Sequence, residues 1–232
     1  MSLKGNMVVM AACYSYIAAL IFLSGKIDDT FTSRKVSRKF LHAMIGNLPF
    51  MMPFFTDNIF PFLVASPFVI VTFLASPFCP FVSIRKRMKD LADITEEGHH
   101  TGLILYAISY SALALFFGIT PYIVAAGIFP MAYGDSAAAI VGESVGRHRF
   151  KVFEEKSLEG SIGMFLASFI SLSIGMVYFT SIYGFSLKSQ IIPILSVSLI
   201  TTLAEAISPK GFDNISIPLL GALTFIILGG GA

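Results

Sequence analysis

Long apolar stretches recur along the chain, and short polar links separate them. Each stretch approaches the roughly 20 residues that a helix needs to cross a bilayer. The pattern predicts an all-α, polytopic membrane protein with about eight transmembrane helices, at residues 7–24, 41–55, 59–81, 102–118, 121–141, 160–181, 189–207 and 216–230. The second and last stretches are short, so seven crossings plus one re-entrant piece is an alternative. Because no long hydrophilic region interrupts the pattern, we expect one membrane-embedded catalytic domain over residues 1–232.

The links alternate between charged and nearly neutral, which predicts the orientation of the chain. Of the 16 Lys and Arg residues, all but Lys4 and Lys188 lie in four charged links, at residues 25–40, 82–101, 142–159 and 208–215. The positive-inside rule assigns these links to the cytoplasm. We therefore expect both termini outside, and any active site at the cytoplasmic face.

Composition supports a membrane protein and excludes several other classes. The chain is 55% hydrophobic and 13% charged, with a mean hydropathy of +0.79. About 25% charged residues is usual for a soluble domain. The composition argues against a disordered chain, a basic nucleic-acid-binding domain and an ordinary soluble enzyme. Two cysteines cannot form a disulfide scaffold. The expected partners are the lipid bilayer and no nucleic acid.

The first charged link leads a histidine into an apolar stretch. If this link is helical, Arg34, Arg38 and His42 share one face. The alternative is a positive anchor that contacts lipid phosphates, which we favour for Arg34 and Lys35. We assign Arg38, Lys39 and His42 to a functional site, because a buried histidine needs a partner.

The third charged link follows a carboxylate that lies inside an apolar stretch. An ionised side chain at the depth of Asp135 is unfavourable and indicates a functional site. Gly134 and Ser136 are small enough for a substrate to approach. Gly142 and Gly146 can expose backbone N–H groups to phosphate, or they can merely form a helix-packing pair. The cations that follow supply countercharge for phosphate: Arg147, His148 if protonated, Arg149, Lys151 and Lys156.

The last charged link contains three further polar residues. Glu205 lies near a membrane edge, and Asp213 and Asn214 follow on the same side. Asp213 and Asn214 could form only a turn, but beside Glu205 and Asp135 we interpret them as part of a shared site. Carboxylates and cations together suit a nucleotide with Mg²⁺. The neighbouring apolar helices could hold a lipid tail.

Three segments resemble motifs of the CTP-dependent polyprenol kinase family, which includes dolichol kinase, phytol kinase and CTP-dependent diacylglycerol kinase. The central one runs from Gly134-Asp135-Ser136 to Gly142 and Gly146, and on through Lys156-Ser157-Leu158-Glu159-Gly160-Ser161. Arg38-Lys39-x-x-His42 resembles the N-terminal motif, and Glu205 with Asp213-Asn214-x-x-x-Pro218 resembles the C-terminal one. The related CDP-diacylglycerol synthases have Lys-Thr-Trp-Glu-Gly in the central motif. The chain has no tryptophan, which favours the kinase branch.

The resemblance implies transfer of the γ-phosphate of CTP to a prenyl or polyprenyl alcohol such as dolichol, phytol or geranylgeraniol. It implies catalytic roles for Asp135, His42 and Glu205, and Mg²⁺ at Asp135, Glu159, Glu205 and Asp213. The expected nucleotide-binding residues are Arg38, Lys39, Gly134, Ser136, Gly142, Gly146, Arg147, Arg149, Lys151, Lys156, Ser157, Glu159, Gly160 and Asn214.

Two other functions are compatible with the same residues. A cytidylyltransferase would make a CDP-lipid from CTP and a lipid phosphate, and it would release pyrophosphate instead of CDP. A small transporter would place charged residues at mid-membrane depth or on both sides, whereas these lie on one side. The sequence leaves the acceptor lipid and the oligomeric state open.

Overall fold

A computed structural model describes residues 3–31, 34–81, 83 and 100–232. Within these residues the chain forms ten α-helices and one short β-hairpin. The helices are α1 (Leu3–Phe31), α2 (Arg34–Ile45), α3 (Ile59–Ala65), α4 (Pro67–Ala75), α5 (His100–Phe117), α6 (Pro121–Phe129), α7 (Asp135–Val145), α8 (Leu158–Tyr183), α9 (Ile191–Ile207) and α10 (Asp213–Ile227). Strands β1 (Arg149–Lys151) and β2 (Glu155–Ser157) form the hairpin, with Phe150 opposite Lys156.

Apolar helices dominate this fold, as the sequence predicts for an all-α membrane protein. Among the described residues, four helical segments are long and apolar enough to cross a bilayer: Leu3–Ser24, Pro121–Val145, Leu158–Tyr183 and Lys188–Ile207. Three shorter apolar segments accompany them, at Ile59–Ala75, Thr101–Phe117 and Asp213–Ile227. The number of crossings and the exterior position of both termini stay predictions.

The predicted continuous helix at 41–55 is wrong. Helix α2 ends at Ile45, and two 3₁₀ turns follow, Leu48–Phe50 and Met52–Phe54. Each turn contains a proline, which has no N–H for an α-helical hydrogen bond. The chain nevertheless returns to the beginning of α1, where the Asn6 amide donates to the Thr56 hydroxyl at 2.8 Å.

The Ser-Pro pairs at 66–67 and 76–77 predict two proline kinks in the helix at 59–81. The first is confirmed, because Pro67 interrupts the helical hydrogen bonds and divides the helix at Ser66 into α3 and α4. The predicted extent to residue 81 is wrong, since α4 ends at Ala75. The β-hairpin departs from a purely helical fold, and its three-residue strands are too short for an alternating pattern to reveal them. Most of the charged link 82–101 lies outside the described residues.

Helix α6 lies at the centre of the packing. Its residues Val124, Ala125 and Phe129 have no exposed surface. A Cβ on Gly127 would lie 2.5 Å from the carbonyl oxygen of Pro218 in α10, so only glycine permits this close approach. Together with α8 and α9, these two helices form a densely packed half of the molecule.

A π-helical turn, Pro130–Gly134, connects α6 to α7. Such turns are rare and often occur at functional sites. The turn places Asp135 at the first position of α7. The sequence pattern gave no indication of it.

The nearly neutral links meet at one end of the helices. The Ile119 N–H donates to Asn58 Oδ1 at 2.7 Å, and the Tyr183 hydroxyl donates to the Ile119 carbonyl oxygen at 3.5 Å. The Asn6–Thr56 pair lies at the same end, since α1 begins there. The described parts of the charged links therefore meet at the opposite end.

This arrangement predicts labelling from opposite sides of the membrane. In a variant whose buried Cys13 and Cys79 are replaced by serine, we expect Ser144→Cys to react with an impermeant thiol reagent only from the cytoplasmic side. Ser186→Cys, in an opposite link, should react only from outside. Labelling of both positions from the same side would contradict the arrangement.

Candidate active site

One cavity of about 560 Å³ opens among the helices at the charged end. Its polar part receives side chains from α2, α7, the hairpin, α9 and α10. Eleven of the residues predicted for the site line it: Lys39, His42, Asp135, Gly142, Arg149, Lys156, Ser157, Gly160, Glu205, Asp213 and Asn214. Its apolar part is formed by α1, α3, α4 and α5. The cavity therefore joins charged groups to a hydrocarbon-lined space.

An ion pair between α2 and α7 lies in the polar part. The Lys39 ammonium donates to Asp135 Oδ2 at 2.8 Å, and the two side chains are 18% and 22% exposed. Residues 39 and 135 are far apart in sequence, so this contact fixes α2 against α7. It also compensates the charge of a carboxylate that would otherwise be unfavourable in an apolar helix.

His42 lies one helical turn after Lys39. Its Nε2 is 3.2 Å from the Met131 carbonyl oxygen, and its ring centroid is 4.4 Å from that of Tyr106. Met131 belongs to the π-helical turn that precedes Asp135. The histidine therefore has the partner that the sequence analysis expected, and it faces the same cavity as Asp135.

A second ion pair connects the hairpin to α9. The Lys156 ammonium binds the Glu205 carboxylate and also donates to the Glu205 backbone carbonyl oxygen at 3.0 Å. Burial disfavours the charge of Lys156, but the facing carboxylate outweighs it, so the pKa of Lys156 lies above its usual value. The lysine is therefore protonated throughout the neutral pH range.

Asp213 adds a third carboxylate at the first position of α10. Its Oδ1 accepts from the backbone N–H and side-chain amide of Asn214, both at 2.9 Å. The Asn214 carbonyl oxygen accepts from the Ser109 hydroxyl at 2.7 Å, which attaches this segment to α5. Asp213 and Asn214 thus make a local turn and also line the cavity.

These residues fit Mg²⁺ only together with phosphate oxygens. Among the described residues, no group of three His, Cys, Asp or Glu side chains is arranged to hold a metal ion. Asp135 and Glu205 both bind lysines instead. Mg²⁺ commonly uses one or two carboxylates, waters and substrate phosphates. The carboxylates of the cavity are suited to such a site.

Several predicted residues shape the site without facing the cavity. Glu159 accepts from the backbone N–H groups of Arg147 and His148 at 3.2 and 3.3 Å, and from the His148 ring at 2.7 Å. It therefore holds the loop before β1. Gly146, at the C-terminal end of α7, packs against the Ser157 side chain of β2, whereas Gly142 approaches Gly160 of α8.

The remaining predicted residues have diverse positions. Gly134 packs tightly against Ser168, Ser136 is buried, and Lys151 is exposed in the hairpin. None of these three lines the cavity. Arg38 belongs to α2, but its side chain lies outside the part that the structure describes.

Sequence reasoning missed several cavity residues. Tyr106 and Tyr110 are buried in its wall, and their hydroxyl groups have no hydrogen-bond partner among the described residues. Glu143, Glu154 and Ser161 also line the cavity. Ser161 ends the central motif without having been assigned to the site, and no motif marks the other four, which the packing of α5, α7 and the hairpin brings together.

Comparison with known proteins gives relatives of one kind. The chain is 36% identical to phytol kinase of Synechocystis sp. over 59% of each chain. It is 30% identical to probable phytol kinase 3 of Glycine max over 95% of this chain and 72% of that protein. It is 32% identical to farnesol kinase of Arabidopsis thaliana over 55% of this chain and 42% of that protein.

Neither a family model nor a solved structure matches the chain. The Synechocystis match spans about three fifths of that relative's length. The Glycine max match, in contrast, extends over nearly all of this chain and nearly three quarters of that protein. The chain therefore belongs to the polyprenol kinase family that includes phytol kinase and farnesol kinase.

Proposed function

We propose that this protein transfers the γ-phosphate of CTP to the hydroxyl group of a prenyl alcohol at the cytoplasmic membrane face. The observation that carries the proposal is that one cavity joins two lysine–carboxylate pairs to an apolar chamber. A prenyl alcohol needs both environments, because its tail is apolar and its hydroxyl reacts with a polyphosphate. The names of the relatives support a prenol as acceptor.

The acceptor hydroxyl would bind beside Asp135. The oxygen attacks the γ-phosphorus, the bond from that phosphorus to the β–γ bridging oxygen breaks, and CDP leaves. Asp135 accepts the proton that the hydroxyl loses. Lys39 holds the carboxylate at 2.8 Å and so fixes its position. Phosphoryl transfer depends chiefly on such positioning and on charge neutralisation.

The phosphates would bind on the other side of the cavity. Lys156 keeps its charge and can donate to a γ- or β-phosphate oxygen while Glu205 remains near. Arg149 lines the cavity and is half exposed, so it can reach a phosphate from the hairpin. His42, beside the turn that carries Asp135, can orient the acceptor hydroxyl.

Mg²⁺ would be held by Asp213 and Glu205 together with phosphate oxygens. When bound, it supplies positive charge that neutralises the polyphosphate. Without nucleotide, Lys39 compensates the charge of Asp135, and Lys156 compensates that of Glu205. When the nucleotide binds, the same lysines can contact its phosphates and the same carboxylates can contact Mg²⁺.

Product analysis tests the activity. Purified protein with γ-labelled CTP, Mg²⁺ and geranylgeraniol should place the label in the lipid fraction and release CDP. Release of pyrophosphate with a lipid phosphate as substrate would instead indicate the cytidylyltransferase. Label that remains in CTP with every alcohol would contradict the kinase.

Removing the charge of Asp135 should abolish turnover. We expect Asp135→Asn to lower turnover per folded molecule by about 10²–10⁴-fold, the usual contribution of a general base. Lys39 would lose its partner, so the melting temperature should also fall. Turnover is measured by lipid phosphorylation on the sample that gives the melting curve.

A double variant separates catalysis from stability. Combining Asp135→Asn with Lys39→Met removes both charges and should restore much of the melting temperature, since no unpaired ion remains. The double variant should stay inactive. Recovery of turnover together with stability would show that Asp135 is only structural.

Lys156 should be required for nucleotide binding. Losing a charged hydrogen bond to phosphate should weaken CTP binding by about tenfold or more in Lys156→Ala. Lys156→Ala with Glu205→Gln removes the unpaired carboxylate, and it should recover stability but not CTP affinity. Lys188→Ala, at the opposite end, is the matched control. Equal CTP affinities in the Lys156 and Lys188 variants would refute this position for the phosphates.

A further inference from the structure

The apolar part of the cavity extends along three helical segments: α5, the consecutive helices α3 and α4, and α1. On α5 it is lined from Gly102 to Tyr110, and on α3 and α4 from Thr72 back to Val64. On α1 it is lined by Ile21 and Ile17. Eight residues of helix correspond to about 12 Å. The chamber therefore extends about 12 Å from the charged end toward the opposite end of the helices.

Four side chains close the inner end of this chamber: Leu48, Val64, Ala65 and Tyr110. We call these four residues the floor. They line the large cavity and also a second, very small cavity of about 10 Å³ on their other side. Each is at most 8% exposed. The floor is therefore a partition one side chain thick.

The space beyond the floor continues in the same direction. The small cavity is also lined by Cys13, which lies one helical turn beyond Ile17, and by Pro61, which lies one turn beyond Ala65. Met52 and Phe55 complete its wall. Removing atoms from the floor would join the two cavities, whereas adding atoms would shorten the large one.

The dimensions of the chamber suit a short prenyl chain. Three bonds of an extended chain span about 3.3–3.6 Å, so one isoprene unit of four bonds spans about 5 Å. The 12 Å chamber then takes two to three units, and the reactive end lies beyond it near Asp135. Counting the reactive end, an alcohol of about three to four units spans from the inner end of the chamber to the carboxylate. The remainder of the 560 Å³ cavity is its polar part, where the phosphates would bind.

We propose that the floor stops the tail of the prenyl alcohol and so sets the longest acceptor that the protein uses. This inference rests on the proposed function for the identity of the ligand. Ala65 is the most sensitive position, because it is the smallest side chain of the floor. A tail that reaches Ala65 has its hydroxyl end at the level of the ion pairs, whereas a longer tail would push the hydroxyl out of reach of Asp135.

Narrowing the chamber at Ala65 tests whether the floor limits the length of the acceptor. Ala65→Leu should lower kcat/KM for geranylgeraniol, with four isoprene units, by about tenfold or more, as expected for a few misplaced methylene groups. Activity with geraniol, with two units, should change less than about twofold. Ala18→Leu on the exposed face of α1 adds the same atoms outside the cavity and should leave the length profile unchanged.

Opening the floor should have the opposite effect. Val64→Ala removes atoms between the two cavities, and it should raise activity with a five-unit alcohol relative to geranylgeraniol. This variant also covers the case in which Ala65→Leu does not fold. The proposed role of the floor is overturned if Ala65→Leu lowers activity equally with alcohols of every length, or if Val64→Ala leaves the dependence of activity on alcohol length unchanged. It is also overturned if the parent protein uses an eleven-unit alcohol as well as geranylgeraniol.

A binding measurement tests the proposal about the floor independently of the proposed kinase activity. Without CTP, alcohols of increasing length should raise the melting temperature of the parent protein up to about four units and no further, since a bound ligand stabilises the folded state. The limit should be shorter in Ala65→Leu. If this limit appears without phosphorylation of any alcohol, the kinase proposal fails, but the proposal that the floor limits the length of the tail is retained. Phosphorylation without a length limit would overturn only the proposal about the floor.

Discussion

The contact between Lys39 and Asp135 is the constraint on which the rest of the site depends. A carboxylate in an apolar helix is stable only with a partner, and here that partner comes from α2. The pair fixes α2 against α7, positions His42 beside the π-helical turn, and closes one side of the cavity. Lys156 and Glu205 make the equivalent contact between the hairpin and α9. The charges of the active site are thus also the contacts that assemble it.

The two halves of the molecule differ in how tightly they pack: one is dense, and the other encloses the cavity. Helices α6, α8, α9 and α10 approach closely, and Gly127 allows the α6 backbone to contact α10. Helices α1, α3, α4 and α5 enclose the apolar chamber instead. The dense half can hold Glu205 at fixed depth, and Asp135 too through the π-helical turn that joins α6 to α7, because close packing resists displacement. The hollow half can accept a tail without disturbing those carboxylates.

The sequence predicted the residues that line the cavity better than the local structure around them. Asp135 was identifiable because a charge is costly in an apolar helix, and Lys156 because it belongs to the cation-rich link that follows; both line the cavity. Glu159 belongs to the same motif, but a motif does not distinguish a ligand from a residue that holds a loop. The break of the helix after Ile45 arises from Pro49 and Pro53, which hydropathy does not register. The apolar chamber depends on packing between distant helices, which no local pattern encodes.

Fixing a flexible lipid for phosphoryl transfer requires restraints at both of its ends. In the proposed mechanism Asp135 restrains the hydroxyl, and Lys39 and the π-helical turn fix the position of Asp135. A tail in a wide chamber would still let the hydroxyl slide along the axis of the helices. The proposed floor would remove that freedom, because a tail of matching length would contact Ala65 and Tyr110 when the hydroxyl is at the carboxylate. The length of the acceptor would then determine the position of its hydroxyl, since a change of chamber depth displaces the reacting oxygen from its base.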